Sequence, residues 1–214
     1  MNGLICLSIS EKKISAIQKV LASRSVKNFP HNIVEIQASQ KLFTHSKFFD
    51  ELIQTSEKPF LLKCRGAPSQ KTLKFILKKK FFALDLDVKF LKKLTMPRRG
   101  KIKIIISQHL KKHEHSYEKL ASKMSKMYEL GADIIKLVMP CSSKNKTRQI
   151  ALLARLIRET GRPVIAHLGG NEGKQSRLML FKKGSYITYI ARNAKSKTAT
   201  GQWTMVEWMR IVRP

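Results

Sequence analysis

The chain has 214 residues, of which 43% are hydrophobic, and this suits one domain with a complete apolar core. Its 43 Lys and Arg residues against 14 Asp and Glu residues give a formal charge of +29, a field that attracts anions of every size. No apolar run approaches the roughly 18 residues of a membrane span. The first residues lack the features of a signal peptide. The three cysteines form no disulfide framework or metal motif, so we expect a reduced, cytoplasmic protein with no membrane partner.

The basic residues are spread along the whole chain, in runs such as Lys12-Lys13 and Lys78-Lys79-Lys80, and only 7% of residues are aromatic. A solvated lysine-rich surface explains this distribution better than a dedicated nucleic-acid site. Nucleic-acid binding stays open as an alternative, because a charge of +29 predicts binding that weakens steeply with salt.

Short apolar runs alternate with longer amphipathic stretches from end to end. We predict strands at Leu4–Ser8, Ile33–Ala38, Pro59–Arg65, Phe81–Asp87, Lys103–His109, Ile134–Met139, Pro163–Leu168 and Tyr186–Ala191. Helical patterns between them include Ser116–Leu130 and Thr147–Thr160, which Gly131 and Gly161 follow as helix ends. Continuous apolar strands indicate a parallel sheet buried on both faces. Eight such units predict a single closed (β/α)₈ TIM barrel over residues 1–214; the rival, a doubly wound open sheet, lacks its Gly-rich loop.

Lys136 lies inside the otherwise apolar strand Ile134–Met139. Lysine is rarely buried without a compensating reason, and an ammonium in an apolar site tends to lose its proton. The neutral amine is a nucleophile that attacks carbonyl carbons to form a Schiff base. If the face shared by Ile134, Lys136 and Val138 points into the barrel, we expect the pKa of Lys136 to fall. The alternative is a lysine that reaches from the strand end to water.

Polar residues lie in or at the carboxyl-terminal part of several predicted strands, and a barrel of this kind places its active site at that end. They are Glu35, Arg65, Asp87, His109 and Lys136. His109 ends the strand directly before that of Lys136, so an imidazole and an amine can reach the same reacting carbon. Histidine moves protons near neutral pH, which complements imine chemistry at the lysine.

Four segments in this order resemble the type I 3-dehydroquinate dehydratase family: Ser107-Gln108-His109, Ile135–Pro140, Gly173–Leu178 and Thr198–Gln202. The resemblance covers nearly the whole barrel. It implies a lyase that dehydrates 3-dehydroquinate to 3-dehydroshikimate in the shikimate pathway, which leads to chorismate and the aromatic amino acids. It further implies a lysine imine, a small anionic substrate, and neither metal nor cofactor.

Carried over by position, the resemblance makes Lys136 the Schiff-base lysine. His109 becomes the acid and base that forms and hydrolyses the imine and moves protons during loss of water. Arg177 is expected to grip the substrate carboxylate through its planar fork. Gln202, with Thr198 nearby, is expected to complete the binding of that end.

The resemblance also assigns Glu35 and Arg65 to the ring hydroxyls, and the chain departs from the family pattern near both. Gln37 replaces an expected second arginine, and Ser69 replaces an expected carboxylate that orients the histidine. We consider Asp87 a substitute for that carboxylate. The chain begins directly at its first strand, so we expect a short form without the hairpin that commonly closes the barrel bottom.

Several alternatives remain open at this point. The departures at Gln37 and Ser69 admit a catalytically eroded paralogue, and another imine-forming barrel enzyme, such as a class I aldolase, would cleave a carbon–carbon bond instead. The run His113-Glu114-His115 is read as solvated residues rather than as a metal pair. A homodimer is one assembly compatible with the sequence.

Overall fold

A computed structural model describes residues 3–91, 94–96, 100–111 and 115–212 of the chain as a parallel β/α barrel. The strands are β1 (Leu4–Ile9), β2 (Ile33–Ala38), β3 (Phe60–Cys64), β4 (Ala83–Asp87), β5 (Lys103–His109), β6 (Ile134–Pro140), β7 (Val164–Gly169), β8 (Ile187–Ala191) and β9 (Trp203–Thr204). The helices are α1 (Ile14–Ala22), α2 (Arg24–Lys27), α3 (Ser46–Thr55), α4 (Gln70–Leu77), α5 (Val88–Leu91), α6 (Tyr117–Glu129), α7 (Lys146–Glu159), α8 (Lys174–Lys182) and α9 (Met205–Val212). Two short 3-10 turns, Gln40–Thr44 and Ala194–Ser196, lie after β2 and β8.

The predicted barrel is confirmed. Strands β2 and β5 have the predicted limits, and the other predicted strands differ by one or two residues at one or both ends. Gly131 and Gly161 follow α6 and α7 with φ values of 91° and 63°. This left-handed conformation costs glycine little, which explains why both helices end there.

All neighbouring strands are parallel, in the order β7-β6-β5-β4-β3-β2-β1-β8-β9. The seam between β7 and β8 is joined by the backbone N–H of Tyr186, which donates to the Val164 carbonyl at 2.8 Å. The Ser185 hydroxyl adds to the seam by accepting from the Ala166 N–H at 3.0 Å. Across the described ranges, no helix combines the length and apolar content needed to cross a membrane.

Two separate apolar clusters lie on the two faces of the sheet. The larger one fills the layer between the strands and the helices. The smaller one fills the barrel interior and includes Cys6, Ile33, Leu61, Ala83, Ile105, Ile134, Ile165 and Ile187. Because side chains alternate along a strand, the residue two positions later on each strand faces the same interior. Those residues, which we call the polar layer, are Ser8, Glu35, Lys63, Asp85, Ser107, Lys136, His167 and Tyr189.

Candidate active site

A cavity of about 400 Å³ opens above the polar layer, at the carboxyl ends of the strands. Its lining includes Glu35, Gln37, Lys63, His109, Lys136, His167, Arg177, Tyr189, Thr198 and Gln202. A larger cavity of about 640 Å³ lies outside the barrel between α1, α2 and α3. We assign the site to the smaller one, because Lys136 and the residues predicted to act with it converge there.

A buried carboxylate holds the candidate nucleophile. Asp85 of β4 is completely buried, and its Oδ2 accepts a hydrogen bond from Lys136 Nζ at 3.0 Å. Its Oδ1 accepts one from Lys63 Nζ at 2.7 Å. Lys63 also donates to the Ser107 hydroxyl at 2.7 Å. The Lys136 ammonium lies 4.1 Å from the centre of the Tyr189 ring, a favourable cation–π contact.

The expected direction of the Lys136 pKa shift was wrong. Lys136 faces the barrel interior, the orientation on which that expectation depended, and is 7% exposed. Burial alone would lower the pKa of Lys136, but the negative charges of Asp85 and Glu35 outweigh it and raise this pKa above its ordinary value. The resting amine is therefore protonated, and it must give up its proton before it can attack a carbonyl.

His109 lies at the rim of the same cavity. Its side chain is 55% exposed, and Nδ1 lies 3.7 Å from Asp87 Oδ2. Partial desolvation, together with the charges of Lys136 and Lys63, lowers the pKa of His109. The imidazole is therefore neutral around pH 7 and available to accept a proton. The structure thus places the Asp87 carboxylate beside the His109 imidazole. The other carboxylate oxygen, Asp87 Oδ1, accepts a hydrogen bond from the Lys89 N–H at the start of α5.

Arg177 is a buried cation with an unfilled donor. It is 5% exposed on α8, and its Nη2 donates to the Thr200 carbonyl at 3.1 Å. Its Nε has no hydrogen-bond partner in the described part of the chain. Burial lowers the pKa of Arg177 to about 10. A desolvated guanidinium that lines a cavity and has an unpaired N–H is suited to pair with a carboxylate.

Gln202 and Thr198 lie in one loop beside Arg177. The backbone N–H and hydroxyl of Thr198 donate to Gln202 Oε1 at 2.9 Å and 3.1 Å. This fixes the amide, whose Nε2 has no partner among the described residues. Gly201 between them has a φ of 71°, and a Cβ there would collide with the Gly170 carbonyl oxygen. Glycine is therefore required for the two loops to approach each other.

Gln37 connects two of the predicted substrate-binding residues. Its Nε2 donates to Glu35 at 3.1 Å, and its Oε1 accepts from Arg65 Nη2 at 3.1 Å. Glu35 and Gln37 line the cavity, whereas Arg65 lies behind Gln37 and is not part of the lining described for it. Ser69 is not brought to the cavity. It is exposed and caps α4 by accepting the Thr72 N–H at 3.1 Å.

Sequence reasoning missed four residues of the site: Lys63, Asp85, His167 and Tyr189. Lys63 and Asp85 are single charged residues within apolar strands, the same signal that identified Lys136. His167 is 7% exposed, and burial, together with the charges of Arg177 and Lys136, holds its pKa well below the ordinary value. It adds a neutral imidazole to the cavity wall.

A metal site is not formed by the residues that can be described: no group of three or more His, Cys, Asp or Glu side chains is arranged to hold an ion. Of the predicted solvated run, His113 and Glu114 lie outside the described residues.

A family model for type I 3-dehydroquinase matches residues 12–213. The bifunctional 3-dehydroquinate dehydratase/shikimate dehydrogenase of Arabidopsis thaliana is 29% identical over 131 residues, which are 60% of this chain and 21% of that protein. The 3-dehydroquinate dehydratase of Clostridium kluyveri is 34% identical over 115 residues, 52% of this chain and 44% of that protein. The aligned region thus spans less than half of either relative.

Solved structures show the same fold. The type I 3-dehydroquinate dehydratase of Clostridium difficile superposes with a TM-score of 0.77 at 21% identity, over 99% of this chain and 91% of that one. The 3-dehydroquinate dehydratase of Geobacillus kaustophilus gives 0.76 at 16% identity, over 99% and 93%.

Proposed function

Because this chain belongs to the type I 3-dehydroquinase family, we propose that it dehydrates 3-dehydroquinate to 3-dehydroshikimate through an imine on Lys136. This reaction belongs to the shikimate pathway, which leads to chorismate and the aromatic amino acids. The observation that carries the proposal is one cavity that holds a buried lysine, a rim histidine and a buried arginine with an unfilled donor.

The charge of the site suits a small monoanion. Lys63, Lys136 and Arg177 are positive, and Glu35 and Asp85 are negative, so these described groups leave one positive charge in excess. Arg177 makes no ion pair with another described residue, which leaves it free to pair with the substrate carboxylate. When the substrate carboxylate pairs with Arg177, the substrate ring is held between Arg177 and Lys136.

The amine chemistry follows in order. Neutral His109 accepts the proton that Lys136 releases, and Nζ then attacks the ketone carbon of the substrate. Loss of water from the carbinolamine gives the iminium, a better electron sink than the ketone. His109, neutral again after this step, accepts a proton from the carbon beside the iminium and returns it to the β-hydroxyl, which departs as water. Hydrolysis of the imine then frees Lys136 and the product. Positioned acid and base catalysis of this kind contributes about 10²–10⁴-fold.

The direct experiment is an ultraviolet assay with purified protein and 3-dehydroquinate, because the product is a conjugated enone. A product that retains every carbon of the substrate excludes the aldolase alternative, because an aldolase would cleave a carbon–carbon bond of the substrate. A barrel that binds substrate but forms no enone would be the eroded paralogue.

Arg177→Ala should weaken substrate binding by about 2–3 kcal/mol, roughly a 30–150-fold rise in KM, because the charge-assisted contact to the carboxylate is lost. The value of kcat should fall less than the affinity, since Arg177 does not touch the reacting carbon. Steady-state kinetics measure both constants. Arg155→Ala, on the exposed face of α7, is the control for loss of one positive charge and should leave KM unchanged. An unchanged KM in Arg177→Ala would remove the assigned role.

We also propose a cytoplasmic location, which the free thiols of Cys6, Cys64 and Cys141 support.

We also propose a homodimer, and sedimentation of the purified chain tests this assembly. Binding to a nucleic acid would appear as an interaction that salt abolishes.

A further inference from the structure

The polar layer contains a second lysine whose place the imine chemistry does not by itself explain. Lys63 of β3 is directly opposite Asp85 of β4 in the sheet register, and its side chain is 15% exposed. Its Nζ is held on two sides, by Asp85 Oδ1 and by the Ser107 hydroxyl, each at 2.7 Å. Lys136 Nζ donates a hydrogen bond to the other oxygen of the same carboxylate, Asp85 Oδ2.

We propose that Lys63 is a positioning residue that keeps Asp85 paired while Lys136 leaves that carboxylate to attack the substrate. The proposal rests on the proposed function, since it gives Lys63 a part in the formation of the Lys136 imine. Lys63 itself stays in place, because two hydrogen bonds fix its ammonium at the wall of the cavity.

The reason lies in the cost of an unpaired buried charge. When Lys136 becomes neutral, the completely buried Asp85 loses one of its two counter-charges. A buried carboxylate that loses its only partner strongly destabilises a protein. With Lys63 in place, Asp85 keeps a cation at 2.7 Å throughout the cycle. Lys136 can then release its proton without leaving a bare anion behind.

Lys63 also acts against the groups that hold the proton on Lys136. Asp85 and Glu35 raise the pKa of Lys136, and a second positive charge on the same carboxylate opposes that rise. The titratable and charged groups that face Lys136 from the surrounding elements are Cys6, Glu35, Lys63, Asp85, His109, His167, Arg177 and Tyr189. Among them, Lys63 alone shares a hydrogen-bonded partner with Lys136 in the described part of the chain.

The test measures the proton affinity of Lys136 without any substrate. Trace labelling of amines with acetic anhydride, followed by peptide mass spectrometry, gives the titration midpoint of Lys136 as pH rises. In Lys63→Met this midpoint should move up by about one pH unit, which is about a tenfold smaller neutral fraction at a given pH. The acid limb of the kcat/KM profile with 3-dehydroquinate should move in the same direction.

Two variants make the result specific. Lys63→Arg keeps the charge and should restore the wild-type midpoint, which a purely steric role of the side chain would not predict. Lys79→Met removes a lysine that pairs with Asp50 far from the cavity and should leave both profiles unchanged. If Lys63→Met fails to fold, Lys63→Gln carries the test, because its amide keeps a hydrogen-bond donor without the charge.

An unchanged or lowered midpoint for Lys136 in the folded neutral variant would overturn the inference, whatever the activity. The proposed function fails separately, if wild-type protein shows no turnover of 3-dehydroquinate. A raised midpoint in that case would still support the sharing of Asp85 between the two lysines.

Discussion

Lys136→Ala should abolish turnover of 3-dehydroquinate, with a loss on the order of 10⁴–10⁶-fold, because removal of a covalent nucleophile leaves only binding and general polarisation. The fold should survive, since Asp85 keeps its contact to Lys63. The measurement pairs the enone assay with borohydride trapping in the presence of dehydroquinate. Wild-type protein should gain one reduced adduct, on Lys136.

The two lysines of the site make this test unusually sharp. Lys63 lines the same cavity, so it is the natural competitor for the substrate ketone. An adduct on Lys63 in the wild type would show that Lys63 of β3 is the nucleophile and would contradict the proposed role of Lys136. Lys103→Ala, a change on an exposed lysine of β5, is the control and should leave both activity and the adduct intact.

Asp85→Asn should destabilise the protein by about 3 kcal/mol, because it leaves two ammonium groups in the barrel without their shared counter-charge. Denaturant unfolding measures this change. The pKa of Lys136 should fall in this variant, opposite in direction to the effect expected for Lys63→Met. Asp50→Asn, at the partly exposed pair with Lys79, should cost less than about 1 kcal/mol and is the matched control.

The pH dependence of stability in Asp85→Asn tests whether the folded structure lowers the pKa of Asp85. Burial alone would raise the pKa of Asp85, but the positive charges of Lys136 and Lys63 outweigh it and hold this pKa below its ordinary value of 3.8. The unfolded chain therefore takes up a proton at higher pH than the folded protein. The stability that this group contributes is present above that ordinary value and is lost as pH falls towards the lower folded pKa. Asp85→Asn should therefore show a smaller loss of stability on acidification than the wild type. An equal loss in both proteins would contradict the pairing.

The strands were predictable because each is a continuous apolar run bounded by polar turns, and β2 and β5 agree at both ends. The convergence of Lys136 and His109 was predictable for a related reason: consecutive strands of a parallel barrel are neighbours, and their carboxyl ends meet at one mouth. The resemblance added Arg177, Thr198 and Gln202, which lie in loops and helices where no strand rule applies.

The electrostatics were not predictable from local patterns. The pKa of Lys136 is set by Asp85, which lies 51 residues earlier in the chain, and no window around the lysine contains that charge. The prediction that Ser69 belongs to the site was wrong for a different reason. A sequence position expected to reach the site instead begins α4, where a serine hydroxyl is valuable as a helix cap.

The polar layer draws one residue from each of the eight strands of the barrel, all at the same phase of their alternation. Adding or deleting one residue within any strand would turn its charged or polar side chain towards the helices and an apolar one towards the cavity. Loops that do not line the cavity are free of this constraint on length. The side chains of the polar layer and the hydrogen-bond register of the strands are therefore kept together or lost together.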